Sequence, residues 1–157
     1  HNHTTAAIAV APHEASIAEF KPYAASIVAN ANELAAELAE RGFALITGGT
    51  DNHMVLLDLR GKGLKGDQAE TALEAAGILS NRNVIPFDPE TTQKTSGLRL
   101  GTPGICTRGM GAEEVRLIAG WIDRILSDPA DPAVQQRVRE EVQALCRRFP
   151  LRDTIGD

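Results

Sequence analysis

One segment, Ser96-Gly97-Leu98-Arg99-Leu100-Gly101-Thr102-Pro103, places a single arginine between leucines and brackets it with glycines that allow close approach of the backbone. The flanking leucines indicate a strand built for burial. A guanidinium in such a strand needs a partner, and its planar fork matches a carboxylate through two parallel hydrogen bonds. The pattern leaves two roles open for Arg99: binding the carboxylate of a ligand, or pairing with an internal acid such as Asp51 or Asp58.

Two further polar groups lie near expected turns. The triplet Asn81-Arg82-Asn83 comes before the polar loop that contains Asp88-Pro89. Its amides have the chemistry to bind a ligand, but asparagines at the start of a strand more often form turns. Arg108 stands before an acidic helix start, where it indicates a helix cap or a surface ion pair.

Other motifs point to less. The run Gly61-Lys62-Gly63-Leu64-Lys65-Gly66 could cradle an anion at the start of the next helix. It has neither the P-loop order nor the dinucleotide-binding order of glycines, and we interpret it as a flexible turn. The opening His1-Asn2-His3 has no nearby histidine or Cys-x-x-Cys partner, so we predict no metal site.

The elements that must position these residues follow from the spacing of apolar residues and turn formers. The strongest helix begins near Pro22 and ends at Gly42. Strands are expected over 43–46 and 54–59, and the short turn between them favours antiparallel pairing. The remaining expected elements are an opening helix that Thr4 or Thr5 caps and Pro12 kinks or ends, a helix over 67–77, strands around 84–85 and 98–100, a helix after Gly111, and a last helix that ends before Phe149. Helices alternating with short strands predict an α/β sandwich with a long lead-in helix.

Composition excludes several classes of protein. The 157 residues are 43% hydrophobic and 24% charged, as in globular domains, and the formal net charge is −5. An acidic chain is a poor nucleic-acid binder, and no apolar run reaches the roughly 18 residues that a membrane span needs. The two cysteines, Cys106 and Cys146, are far apart and are interpreted as reduced thiols.

The beginning of the chain carries its own signal. It opens at His1 without a methionine and runs directly into an apolar, helix-like stretch, with no basic segment or cleavage pattern of a signal peptide. We therefore expect this chain to be a piece of a longer protein.

Several linked motifs together resemble the C-terminal domain of serine hydroxymethyltransferase, in the right order and spacing. They are Gly48-Gly49-Thr50-Asp51-Asn52-His53, Asn81-Arg82-Asn83, the Ser96–Pro103 segment and Thr107-Arg108-Gly109. The opening His1-Asn2-His3-Thr4-Thr5-Ala6-Ala7 resembles the stretch that closes the large domain of that enzyme. The resemblance covers nearly the whole chain.

The resemblance implies a fold and an activity. The enzyme would be a pyridoxal 5'-phosphate enzyme of fold type I (aspartate aminotransferase-like), cytoplasmic and a homodimer or tetramer. It would reversibly transfer a one-carbon unit from serine to tetrahydrofolate and leave glycine. Residues 1–14 would end the large cofactor-binding domain. Residues 15–157 would form the C-terminal small domain, an α/β sandwich with a short, mainly antiparallel sheet preceded by a long connecting helix.

The resemblance also assigns residues. By it, Arg99 binds the carboxylate of the amino-acid substrate, and Arg108 lies near the active site. The residues against the folate would be Asn83, Glu90, Thr91 and Thr92. The lysine that forms the Schiff base in this family sits in a Thr-rich His-Lys motif that this sequence does not contain. Because the chemistry needs that lysine, the resemblance implies no catalytic residue here and no activity for this piece alone.

The sequence departs from the family pattern in two places. Residues 87–94 differ from the more common Asn-Asp-Pro with a following Ser-Pro-Phe, and Pro12 and His13 replace a typical Leu-Lys pair. A relative that acts on 2-methylserine, or an aldolase-type paralogue, would keep Arg99 because every α-amino acid has a carboxylate. A stand-alone α/β module without enzymatic activity is the alternative from a different class.

Overall fold

The structure, a computed structural model, describes residues 1–151 of the chain. Its helices are α1 (Asn2–Ser16), α2 (Phe20–Glu40), α3 (Gly66–Ala75), α4 (Pro103–Thr107), α5 (Ala112–Ser127) and α6 (Pro132–Arg148). Its strands are β1 (Ala44–Leu45), β2 (Met54–Asp58), β3 (Asn81–Asn83) and β4 (Gly97–Gly101), and a 3₁₀ turn covers Arg60–Lys62. The predicted α/β class with a small antiparallel sheet is confirmed. The last six residues of the small domain expected over 15–157 lie outside the described residues.

The sheet is four-stranded and antiparallel throughout, with the order β1-β2-β4-β3. The antiparallel pairing of the first two strands is confirmed, with Leu45 opposite Leu57. In the centre, Leu56 of β2 lies opposite Arg99 of β4, which in turn lies opposite Asn81 of β3. These three residues form one row across the sheet, and β4 therefore carries its arginine between two partner strands.

One face of the sheet is buried under helices. Val55 and Leu57 of β2 and Leu98 and Leu100 of β4 point into the core, because alternate residues of a strand face opposite sides. The helices α2, α3, α5 and α6 supply much of the remaining core through apolar stripes that include Leu34, Leu38, Ala69, Leu73, Val115, Ala119, Ile122, Val138 and Leu145. Core packing on one side only leaves the opposite face of the sheet open.

The opening helix α1 runs from Asn2 to Ser16 and has no buried residue. Pro12 was expected to kink or end this helix, and the expectation of an end is wrong. Proline removes one backbone hydrogen bond, but every residue around it is exposed, so water can satisfy the freed carbonyl. The expected Thr4 or Thr5 cap is also wrong, since His1 occupies the N-cap position without a side-chain hydrogen bond.

Two elements near the site also differ from expectation. The third strand covers Asn81–Asn83 rather than Val84-Ile85, where Val84 is exposed and Ile85 packs against Gly97. The short helix α4 was not predicted. Pro103 occupies its first turn, where the missing N–H costs nothing, and the buried Cys106 anchors it to the core.

Gly97 has no room for a side chain. A Cβ at this position would collide with Ile85 and stand 2.6 Å from the carbonyl oxygen of Asn83. We expect Gly97→Ala to destabilise the chain by about 1–3 kcal/mol through overpacking. Gly104→Ala is the matched control: it has nothing within 4 Å of its Cβ and lies in a helix, so it should be neutral or slightly stabilising. Urea denaturation followed by the fluorescence of Trp121, the single tryptophan, measures both; equal stability of the two variants would refute the close packing.

Candidate functional site

The open face of the sheet carries the polar residues that the sequence singles out. Met54 and Leu56 of β2 and Arg99 of β4 point to this face, away from the leucines of the core. Arg99 was expected to be buried between its leucine neighbours, and this expectation is wrong. The side-chain alternation of a strand buries Leu98 and Leu100 on one side and exposes Arg99 on the other.

A groove of about 630 Å³ lies on this open face. One wall is the loop between β1 and β2, and the floor is the sheet itself. Its lining residues are Thr47, Gly48, Gly49, Thr50, Asp51, Asn52, Met54, Leu56, Asn83 and Arg99. The structure thus brings together two of the residues that the resemblance assigns, one for the substrate carboxylate and one for folate.

A second groove of about 610 Å³ borders the first. Arg99 and Met54 line both grooves, and the other residues of the second come from the ends of β2, β3 and β4 and include His53, Ser80 and Asn81. Arg99 therefore stands where the two grooves meet, accessible from both.

The loop that forms the groove wall is organised by its own side chains. The hydroxyl of Thr47 donates to the carbonyl of Gly49 at 2.6 Å, and the carboxamide oxygen of Asn52 accepts from the N–H of Met54 at 2.9 Å. Gly48 has a φ of 71°, which favours glycine. From the residues alone this segment was only a turn cluster between two strands; its position opposite Arg99 comes from the pairing of β2 with β4.

Arg99 has no acidic partner among residues 1–151, in an ion pair or in a side-chain hydrogen bond. Its Nη2 donates to the carboxamide oxygen of Asn81 at 3.3 Å. The structure therefore does not pair Arg99 with Asp51 or Asp58, the internal alternative that the sequence left open. An exposed, uncompensated guanidinium beside a groove has the chemistry to bind a carboxylate from outside.

Asp58 is not available to Arg99 because another arginine holds it. Asp58 is the diagonal neighbour of Arg99 on the same face, since Leu56 lies directly opposite Arg99. The carboxylate of Asp58 accepts hydrogen bonds from Nε of Arg60 at 3.0 Å and from its Nη2 at 2.7 Å. The hydrogen bond from Arg60 lowers the pKa of Asp58 and keeps this carboxylate ionised and engaged.

The folate residues implied by the resemblance divide into two places. Asn83 lines the first groove with Arg99. Glu90, Thr91 and Thr92 lie on the loop that joins β3 to β4 and do not line either groove. The carboxylate of Glu90 forms an ion pair with Nζ of Lys65 at 3.0 Å, so its charge is already matched within the chain.

Asp88 clamps this loop, a role that sequence reasoning missed. One carboxylate oxygen accepts from the N–H of Glu90 at 3.0 Å and from the hydroxyl of Ser96 at 2.7 Å. The other accepts from the N–H groups of Ser96 at 2.9 Å and of Ile85 at 3.2 Å. A single side chain thus joins both ends of the loop. The only sequence signal was an aspartate before a proline in a polar segment, which is typical of many turns.

The N-terminal end of α3 is hydrogen-bonded to the same β3–β4 loop. The N–H of Gly66 donates to the carbonyl of Thr95, and the N–H of Asp67 donates to that of Lys94, both at 3.0 Å. A side chain at Gly66 would collide with the hydroxyl of Thr95. An anion bound at the start of α3 would need these same two N–H donors. Because the loop carbonyls already accept from them, the structure does not support the anion site that the glycine-rich run 61–66 suggested.

The clamp predicts a pH dependence. Partial desolvation raises the pKa of Asp88, but the hydrogen bonds from Ser96, Glu90 and Ile85 outweigh it and lower the pKa to about 2. An aspartate whose pKa is lowered by folding stabilises the fold above its unfolded pKa of about 3.9 and loses this contribution as the pH falls towards 2. We expect wild type to unfold at a higher temperature than Asp88→Asn at pH 7, with the gap closing between about pH 4 and pH 2. Thermal unfolding of both chains over this range measures the gap; a gap independent of pH would contradict the clamp.

Arg108 lies away from both grooves. Its Nη1 donates to the carbonyl of Phe149 at 2.9 Å, and Phe149 is the C-cap residue of α6. A helix cap was one of the two roles that the sequence suggested for Arg108. In the structure Arg108 caps the C-terminal end of α6, and not the start of the helix that follows it in the chain. Its place near the active site stays a prediction.

Within residues 1–151 the His, Cys, Asp and Glu side chains form no group of three or more that could hold a metal ion. In the same part of the chain no helix is both long enough and apolar enough to cross a membrane. Cys106 is buried and Cys146 partly buried, and both are free thiols.

Comparison with known proteins identifies the class to which this fold and site belong. The sequence model of the serine hydroxymethyltransferase family matches residues 1–122. The chain belongs to the serine hydroxymethyltransferase family, and the resemblance stated from its motifs is confirmed.

Particular relatives agree. The chain is 53% identical over 156 residues to the serine hydroxymethyltransferase of Acidothermus cellulolyticus, and 51% identical over 150 residues to that of Sorangium cellulosum. Each alignment covers 96% of this chain and 36% of the relative. The chain therefore spans about a third of the length of the curated relatives that it matches.

Proposed function

We propose that this chain is the C-terminal part of a serine hydroxymethyltransferase and contributes the site for the substrate carboxylate. The full protein would transfer a one-carbon unit from serine to tetrahydrofolate and leave glycine. The observation that carries the proposal is Arg99, exposed on the open face of the sheet, without an acidic partner among the described residues, in a family whose substrates are amino acids.

The residues of this chain fit a supporting role towards pyridoxal 5'-phosphate. The Thr-rich His-Lys motif that carries the family's Schiff-base lysine is absent from the sequence. The two lysines of the glycine-rich run already have acidic partners, Lys62 with Asp123 and Lys65 with Glu90, so we assign neither of them to the cofactor. Arg99, with no acidic partner of its own, fits the carboxylate of an amino acid held on the cofactor. When bound by the rest of the protein, pyridoxal phosphate supplies the electron sink for breaking a bond at the α-carbon.

Arg99 acts by position. Two parallel hydrogen bonds from its guanidinium would fix the carboxylate and with it the orientation of the bonds at the α-carbon. The aliphatic side chains of Met54 and Leu56 line the groove beside it. The chain alone, without the lysine, should show no transferase activity.

The β3–β4 loop would form part of the folate wall. Asn83 shares a groove with Arg99, which supports a position near both substrates. Glu90, Thr91 and Thr92 follow on the loop that Asp88 ties to Ser96, so the clamp would set their distance from Arg99.

The remaining elements fit the C-terminal part of a fold type I enzyme. The helix α1 carries exposed apolar side chains, including Ile8 at 63% and Val10 at 55% exposure, and buries nothing within this chain. Such a face suits packing against the large domain, which supports the boundary proposed after residue 14. We also propose that the full enzyme is cytoplasmic and works as a homodimer or tetramer.

The test uses the full-length enzyme that contains this chain. Serine, 2-methylserine and a β-hydroxy amino acid without a folate requirement are compared as substrates, with and without tetrahydrofolate. Folate-dependent formation of glycine from serine supports the proposal. Preference for 2-methylserine, or cleavage that does not respond to folate, would replace it with the 2-methylserine or aldolase-type activity. Absence of amino-acid binding in the full protein would favour the non-enzymatic module.

A further inference from the structure

Asn81 is the residue that directly contacts the guanidinium of Arg99. It lies on β3 directly across from Arg99 in the antiparallel register, and its carboxamide oxygen accepts the hydrogen bond from Nη2 of Arg99 at 3.3 Å. Since a guanidinium has donors and no acceptor, the oxygen of the carboxamide must be the atom that faces it. Among the described residues, no other side chain accepts a hydrogen bond from Arg99.

The neutrality of this partner matters. A guanidinium has five N–H groups, so a single hydrogen bond to Asn81 leaves enough donors for a bidentate contact with a carboxylate. A neutral acceptor holds the side chain and does not cancel its charge. Asp58 shows the opposite case on the same face: its carboxylate binds Arg60 through Nε and Nη2 and removes that arginine from other use.

The two strands beside β4 offer Arg99 one polar and one apolar neighbour directly across the sheet. Arg99 lies between Leu56 on one side and Asn81 on the other, because β4 is paired with β2 and β3. Leu56 offers no polar atom in its side chain. The direction of the guanidinium across the sheet is therefore set on the β3 side, by a hydrogen bond to one atom.

We propose that Asn81 is a positioning residue for Arg99, which orients the guanidinium through a neutral acceptor and keeps its charge free for the carboxylate of the substrate. The proposal rests on the proposed function of Arg99 and adds a residue that the family resemblance does not assign here. It requires that the charge of the residue at position 81, and not only its shape, controls the affinity for the carboxylate.

The test is Asn81→Asp in the full-length enzyme, a change that keeps the shape and adds a negative charge. Glycine and methylamine, which is glycine without the carboxylate, are titrated by calorimetry and by the absorbance of the cofactor. We expect Asn81→Asp to weaken glycine binding about tenfold or more, because the new carboxylate pairs with Arg99 and repels that of glycine. Methylamine binding should stay unchanged. Asn81→Ala should weaken glycine binding only a few fold, since the charge of Arg99 remains free.

Gln143→Glu is the matched control, because it makes the same charge change at an exposed position on α6. It should leave the binding of both ligands as in wild type. In the background of Arg99→Ala, the neutral change Asn81→Ala should have little further effect on glycine, which is the signature of action through Arg99.

The outcomes separate the two proposals. If Arg99→Ala weakens glycine binding and Asn81→Asp does not, the role of Asn81 is overturned and that of Arg99 stands. If Asn81→Asp weakens glycine and methylamine equally, the residue acts on the fold and not on the carboxylate, and the proposal is also overturned. If Arg99→Ala leaves glycine binding unchanged, the proposed function itself fails.

Discussion

Replacing Arg99 by alanine in the full-length enzyme should lower kcat/KM for serine by about 30- to 700-fold, which corresponds to about 2–4 kcal/mol of transition-state binding. The estimate is that of one bidentate, charge-assisted contact. Two neighbouring arginines are not free to replace it: Arg60 is held by Asp58, and Arg82 points to the opposite face of the sheet, where Glu70 of α3 binds it at 3.0 Å.

Arg99→Lys is the informative partner variant. Lysine keeps the positive charge but has no planar fork, so it can attract the carboxylate without fixing its orientation. We expect an intermediate loss, larger in kcat than in KM, if orientation is the main contribution of Arg99. Steady-state kinetics with serine and tetrahydrofolate measure both variants. A lysine variant with full activity would show that charge alone suffices and would contradict the positioning argument.

The second large effect concerns the strand that places Leu56 beside Arg99. Leu57 is fully buried in the centre of the sheet, and its neighbour Leu56 points to the open face. We expect Leu57→Ala to destabilise the chain by about 2–5 kcal/mol, as is typical of a large-to-small change in a packed core.

Leu56→Ala serves as the matched control, with the same chemical change one residue away. Because Leu56 is only half-buried, its loss should cost about 1 kcal/mol or less, while it removes apolar cover from the groove. Urea denaturation followed by Trp121 fluorescence compares the two. Equal destabilisation by both changes would contradict the alternation that exposes Arg99.

The sequence predicted the sheet and the main helices because their signals are local. The apolar spacing of α2, α5 and α6 and the turn cluster between β1 and β2 each lie within a single stretch of chain. The motif around Arg99 was found for the same reason: an arginine bracketed by leucines and glycines is unusual within eight residues.

The features that were missed depend on contacts between distant segments. Alternation along β4 puts Arg99 on the face opposite Leu98 and Leu100, but it does not tell whether helices cover one face of the sheet or both, and the exposure of Arg99 depends on that. The ion pair of Asp58 with Arg60 and the hydrogen bonds of Asp88 to Ser96 could not be predicted, because the sequence offers several possible partners for each carboxylate and does not distinguish them. Helix α1 continues through Pro12 because the helix is exposed there, and this exposure cannot be predicted from the sequence of the helix.

The central claim is that Arg99 binds the carboxylate of the amino-acid substrate. The most direct measurement compares glycine with methylamine on wild type and on Arg99→Ala of the full-length enzyme, with the dissociation constant of each ligand determined from the absorbance of the cofactor. We predict that the substitution weakens glycine binding by about 30-fold or more and leaves methylamine binding unchanged. An equal loss for both ligands, or unchanged affinity for glycine, would contradict the claim.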